Sequence, residues 1–129
     1  MKAKIVRDQE GRFYGVKYHC PGCAAAMVDG MSGSTILPVR WLPPGETVES
    51  PYVANSPHWD FNGDFENPVF GPSVLSTWPE YQGEELPPIG HVCHSWIGIN
   101  GAPPGHAIFL GDCTHSLKGQ VVPLPELED

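Results

Sequence analysis

The stretch that decides the fold is residues 91–99, which read His-Val-Cys-His-Ser-Trp-Ile-Gly-Ile. It ends at Asn100-Gly101, a pair typical of tight turns between strands. Residues 106–110, His-Ala-Ile-Phe-Leu, follow an enlarged loop rich in proline and glycine and offer a partner strand. We therefore predict that 91–99 and 106–111 pair as antiparallel strands.

Short apolar runs between turn residues continue in both directions from this pair. Of the 129 residues, 15 are glycine and 15 are proline, and proline breaks long helices because it lacks a backbone donor and clashes with the preceding turn. We expect a single domain over 1–129 that is all-β or a β-dominated small α+β fold, antiparallel, loop-rich and zinc-stabilised. The further predicted strands are 4–7, 12–18, 35–39, 59–61, 69–70, 73–78 and 120–122, with a turn or short helix at 112–117.

The charge balance narrows the range of partners. The formal net charge is −8, and an acidic surface repels phosphates, so we expect no nucleic-acid partner. Acidic residues gather in the loop around Glu80, Glu84 and Glu85 and in the tail with Glu128 and Asp129. No segment is apolar enough for a signal peptide or a membrane span. We therefore expect a cytoplasmic protein whose cysteines are reduced.

All four cysteines lie in three short clusters: the knuckle Cys20-Pro-Gly-Cys23, residues 91–94, and residues 112–115. A CxxC turn aims two sulfurs at one point, which is typical of zinc sites. Because side chains alternate along a strand, adjacent Cys93 and His94 are not expected to bind the same metal. We predict a structural Zn²⁺ site, with ordinary buried thiols at the last two positions as the alternative. The predicted ligands are Cys20, Cys23, Cys93 and Cys113, with His115 as the leading substitute for Cys113.

The same region contains the groups of a serine hydrolase. The predicted 91–99/106–111 hairpin brings a hydroxyl, two imidazoles and a carboxylate together. Ser95 and His94 are on opposite strand faces, so His115 is the better base for Ser95, with Asp112 to orient it and His94 as an auxiliary group. Ser73 is the reserve nucleophile, at the start of a predicted strand. In the non-catalytic alternative, Asp112 caps a short helical turn.

Several segments together resemble a known family: small BubE-like proteins of bacteriophages, prophages and bacterial ubiquitin-like (Bub) operons. The matching segments are CPGC at 20–23, WDFNGD at 59–64, NPVFGPSVL at 67–75, CHSWI at 93–97 and FLGDCTHSLKGQ at 109–120. The resemblance implies a peptidase that acts on the C-terminal tail of a bacterial ubiquitin-like protein. This chain departs from the family pattern in Ala24-Ala25-Ala26 after the knuckle and in a longer 100–105 loop.

A second function class is a non-catalytic, zinc-stabilised protein-binding module of phage origin that captures a host factor. The small core, the acidic loop around Glu84, and Trp41 and Trp78 as expected exposed aromatics favour it. In either class the partner is a protein.

Overall fold

The computed structural model describes residues 1–26 and 33–127, which form two antiparallel sheets and one short helix. The first sheet has the order β1-β2-β3, with β1 Ala3–Arg7, β2 Phe13–His19 and β3 Ser34–Leu37. Helix α1, Pro21–Ala26, follows β2. The second sheet keeps the sequence order, with β4 Asp60–Phe61, β5 Phe70–Glu80, β6 Ile89–Ile97, β7 His106–Phe109 and β8 Val121–Pro123.

The predicted strand-dominated, antiparallel fold is confirmed. Strands β6 and β7 pair antiparallel with Ser95 opposite Phe109 and Ile97 opposite Ala107. The loop between them, residues 98–105, contains Asn100, which has a positive φ of 54°, a conformation that asparagine tolerates better than most residues. The hairpin of β1 and β2 also forms where the sequence predicted it.

Two elements differ in kind from the sequence-based prediction, while the bounds of the other strands shift by at most two residues. The segments 69–70 and 73–78 belong to one long strand, β5, because Gly71-Pro72 is accommodated at an irregularity in its pairing with β6 between Phe70 and Val74. The knuckle, predicted as a turn, opens helix α1. Proline suits the first helical position because no intrahelical partner exists for an amide there.

One core joins the two sheets. Tyr18 of β2 stacks on Phe70 of β5 with ring centroids 5.5 Å apart, and both side chains are fully buried, as are Phe13 and Phe109. Burying each such side chain stabilises the fold by about 1.5–3 kcal/mol. On β6 the alternation is clear: Cys93, Ser95 and Ile97 are buried towards this core, while the residues between them are only partly buried.

The remaining expectations concern the surface. Trp41 and Trp78 were expected to be exposed, but both are partly buried and pack against the core. Of the acidic tail, Glu126 pairs with the N-terminal amine at 2.7 Å, while Glu128 and Asp129 lie outside the described residues. Within the described chain, no helix has the length and apolarity needed to cross a bilayer.

Candidate functional site

Strand β6 carries two neighbouring groups that face opposite ways. Cys93 points into the core and is 2% exposed, whereas the side chain of His94 is 23% exposed. Because consecutive side chains of a strand alternate between its faces, one step along the chain separates a buried thiol site from a solvent-accessible polar site.

The buried site consists of Cys20, Cys23 and Cys93, whose sulfur atoms all lie within 4.8 Å of one another. The Sγ atoms of Cys20 and Cys93 are 3.6 Å apart, and the amide of Cys23 donates to the sulfur of Cys20 at 3.4 Å. Zinc–thiolate bonds of about 2.3 Å in tetrahedral geometry would separate the sulfurs by about 3.8 Å. The three cysteines can therefore hold a metal ion.

The three thiols of the cluster differ in pKa. Hydrogen bonds from the Cys23 thiol and then the Cys93 thiol lower the pKa of Cys20 to about 3, against the cost of its burial. The pKa of Cys23 is raised to about 12, first by its hydrogen bond to Cys20, and that of Cys93 is raised for the same reason. Ionisation is therefore easiest at Cys20, and a bound dication would favour ionisation of the other two thiols.

Like its predicted substitute His115, Cys113 lies outside this set of three cysteines. It lies on the loop after β7, next to the backbone of β6. Its thiol donates to the carbonyl of His94 at 3.2 Å and accepts from the amide of His94 at 3.2 Å. Cys113 therefore binds the His94 backbone from the edge of β6, while the Cys93 side chain points into the core.

His115 lies against the knuckle. A Cβ atom built on Gly22 would come 2.6 Å from its Nε2 atom, and the residue is 8% exposed. Burial lowers the pKa of His115, and the charge of Cys20 opposes that shift. Among the described residues the buried Nε2 has no hydrogen-bond partner. The amide of Leu117 donates to Nδ1 at 3.2 Å, so in the neutral ring the proton is on Nε2.

The solvent-accessible site is a chain of three hydrogen-bonded side chains. His94 Nε2 lies 2.9 Å from the Oγ atom of Ser73. On the other side of the ring, His94 Nδ1 lies 3.0 Å from Asp112 Oδ2 and 3.3 Å from Oδ1. A hydroxyl, an imidazole and a carboxylate in this order form the arrangement used for nucleophilic catalysis by serine hydrolases.

Three neighbouring elements position these groups. Ser73 lies on β5, where Leu75, two residues later, is directly opposite His94 of β6. Asp112 lies just after β7, and the amide of Leu110 donates to the His94 carbonyl at 2.9 Å, which holds that loop beside β6. The indole of Trp59 donates to the Ser73 carbonyl at 3.2 Å and fixes the backbone of the hydroxyl-bearing residue.

The structure does not bring Ser95 together with His115 and Asp112. Ser95 is 1% exposed and points into the core, and the hydrogen bonds of the described residues do not join it to His115. Ser73, the reserve candidate, is instead the hydroxyl that contacts His94. His94, predicted as an auxiliary group, lies between Ser73 and Asp112, and Asp112 contacts His94 and not His115.

No protein-family model, curated protein or solved structure matches the chain. The function is therefore inferred from the two sites on β6.

Proposed function

We propose that this protein is a serine hydrolase of the peptidase class, with Ser73 as the nucleophile, His94 as the base and Asp112 as the orienting carboxylate. The observation that carries the proposal is the continuous Ser73–His94–Asp112 chain, with distances of 2.9 and 3.0 Å. Both contacts are within hydrogen-bond reach before any substrate binds.

The geometry supports a two-step acyl transfer. In the tautomer with its proton on Nδ1, His94 donates to Asp112 and accepts the Ser73 proton at Nε2 as Oγ attacks the substrate carbonyl carbon. The imidazolium beside Asp112 then gives that proton to the leaving amine, which departs as the carbon–nitrogen bond breaks. Water, deprotonated by His94, hydrolyses the acyl–Ser73 ester and restores the serine hydroxyl.

The proposed substrate is the C-terminal tail of a bacterial ubiquitin-like protein, and the proposed compartment is the cytoplasm. The substrate rests on the family resemblance of the sequence. It is compatible with a site at which His94 is 23% and Asp112 is 54% exposed, because a protein tail can reach such a site from solvent. Cysteines are usually reduced in the cytoplasm, and a cluster of thiolates can form only from reduced cysteines.

We further propose that the cluster binds a structural Zn²⁺ ion through Cys20, Cys23 and Cys93, with His115 Nε2 as the fourth donor. Three buried thiolates, completed by an imidazole as the fourth donor, would form a ligand set that favours zinc. The Nε2 atom of His115, buried beside the knuckle and without a hydrogen-bond partner in 1–26 and 33–127, supports this choice. A neutral imidazole that binds zinc through Nε2 carries its proton on Nδ1, so the contact from the Leu117 amide to Nδ1 must rearrange.

The zinc would act on catalysis only by fixing the scaffold. Cys93 immediately precedes His94, so a metal-bound Cys93 would limit movement of the β6 backbone that carries the base. Cys113 restrains the same backbone from the other side through its two hydrogen bonds.

Two serine variants test the proposal. Ser73→Ala should lower the rate of p-nitrophenyl acetate hydrolysis, and of cleavage of a ubiquitin-like fusion, by about 10³-fold or more, because a nucleophile and its base act as a unit. Its zinc content and melting temperature should match wild type. Ser95→Ala, the matched control, should keep the activity.

Full activity of Ser73→Ala would refute the assignment. A wild-type protein that hydrolyses neither the ester nor any fusion would favour the non-catalytic, zinc-stabilised binding module.

A further inference from the structure

The structure assigns a substrate-binding role to the outer edge of β5. Resting on the proposed hydrolase function, we propose that an extended peptide segment of a protein substrate binds there as an added strand, next to Ser73. The edge is defined by Leu75 and Thr77, the residues whose backbone groups face away from β6.

Other described segments cover the outer edge of β5 at its first residues and leave that edge uncovered at the later ones. Strand β4 pairs with β5 only at Phe70 and Gly71, and the Trp59 indole then occupies the carbonyl of Ser73. From Val74 to Glu80, the only strand paired with β5 in the described part of the chain is β6. The uncovered edge therefore begins immediately after the nucleophile.

The register shows which backbone groups are available. Leu75 is opposite His94 and Thr77 is opposite Val92. The carbonyls of His94 and Val92 accept hydrogen bonds from the far side of β6, from Leu110 at 2.9 Å and from Thr114 at 3.0 Å. In an antiparallel pair, residues that bond away from each other form the non-hydrogen-bonded pairs.

It follows that the amide and carbonyl of both Leu75 and Thr77 point outward from the sheet. Within residues 1–26 and 33–127, no hydrogen bond reaches these four groups. The two side chains are exposed, Leu75 by 56%. An edge of this kind is a template for an incoming strand.

The position of the edge identifies its occupant. Ser73 contacts His94, and Leu75 is the direct cross-strand neighbour of His94, so Ser73, Leu75 and Thr77 share the outward face. A strand added beside Leu75 and Thr77 would run about 4.8 Å from β5, and its continuation would approach Ser73, whose own carbonyl is covered by the Trp59 indole. The occupant is therefore the peptide to be cleaved, bound in extended form.

Pro79 sets the length of the pairing. It is opposite Gly90, in phase with Leu75 and Thr77, so its nitrogen faces the same edge and has no hydrogen to donate. The edge of β5 therefore offers two residues, Leu75 and Thr77, that can both donate and accept a backbone hydrogen bond. Both lie close to the bond that is cleaved. A substrate residue that pairs with Leu75 or Thr77 needs its own amide hydrogen, so proline is excluded at those substrate positions.

Small activated esters test this inference on the wild-type protein. p-Nitrophenyl acetate reports the catalytic groups without any strand pairing, whereas the p-nitrophenyl ester of acetyl-tetra-alanine adds a strand. We expect kcat/KM at least about tenfold higher for the peptide ester. N-methylation of one alanine at a time should lower kcat/KM for the peptide ester by about five- to tenfold, but only at alternate alanines. The reason is that successive amides of a strand face opposite sides.

Variants at Thr77 of β5 provide a second test of the inference. Thr77→Pro removes one outward amide and should lower kcat/KM for the peptide ester but not for the acetate, while Thr77→Val, which keeps that amide, should lower neither. Equal rates for acetate and peptide ester, or N-methyl losses without alternation, would overturn the inference and leave the hydrolase intact. No hydrolysis of any ester would overturn the proposed function together with it.

Discussion

The inner and outer faces of β6 are built from adjacent residues but hold sites of opposite character. On the inner face, Cys93 joins Cys20 and Cys23 in a buried cluster between the sheets. On the outer face, His94 links Ser73 and Asp112 within reach of solvent. The alternation of a single strand thus separates a group that can stabilise the fold from one that can do chemistry. The two faces should respond differently to substitution.

The largest expected effect is on the inner face. Cys93→Ser should abolish stoichiometric zinc binding and lower the free energy of unfolding by about 3 kcal/mol or more, because metal binding is coupled to folding and a small core compensates poorly. Metal analysis and thermal melting measure both. The neighbouring His94→Gln should keep the metal and the melting temperature. A Cys93→Ser protein with wild-type zinc content would contradict the separation of the two faces.

The next effect is on the outer face. Asp112→Asn should lower kcat for ester hydrolysis by about 10²- to 10⁴-fold, because an amide neither holds the required tautomer of His94 nor stabilises its imidazolium. Since Asp112 is 54% exposed, the free energy of unfolding should change by only about 0.5 kcal/mol. Steady-state kinetics and denaturant unfolding on the same preparation measure these changes. Unchanged kcat would show that Asp112 is a structural turn residue.

A smaller effect separates His115 from Cys113. His115→Ala should weaken zinc retention against a chelator by about 10- to 100-fold, because it removes the proposed fourth donor. Cys113→Ala, the matched variant, should retain zinc and lose about 1 kcal/mol of stability from its contacts with the His94 backbone. The opposite result, with zinc lost only in Cys113→Ala, would restore the ligand set expected from the sequence.

The strands were predictable because alternating side chains and turn pairs such as Asn100-Gly101 act locally. The same alternation predicted that Cys93 and His94 would face apart, as the structure confirms. It did not predict which side chain would meet His94, because that depends on the register of β5 against β6. The register shifts between Phe70 and Val74, and the local sequence does not show the size of that shift.

The sequence also did not show which of Cys113 and His115 contacts the knuckle. They are two residues apart on one loop, so spacing alone does not show which side chain turns towards the knuckle. The structure places His115 over Gly22, where the absence of a side chain leaves room for the ring. That fit between distant segments is a tertiary contact, which sequence periodicity does not encode.

Labelling with a fluorophosphonate, followed by peptide mapping, tests the central assignment most directly. If Ser73, His94 and Asp112 form a working catalytic unit, the wild-type protein should acquire one adduct per chain, located on Ser73, and His94→Ala should acquire none under the same conditions. An adduct on Ser95, or hydrolysis that persists with Ser73 unlabelled, would contradict the assignment.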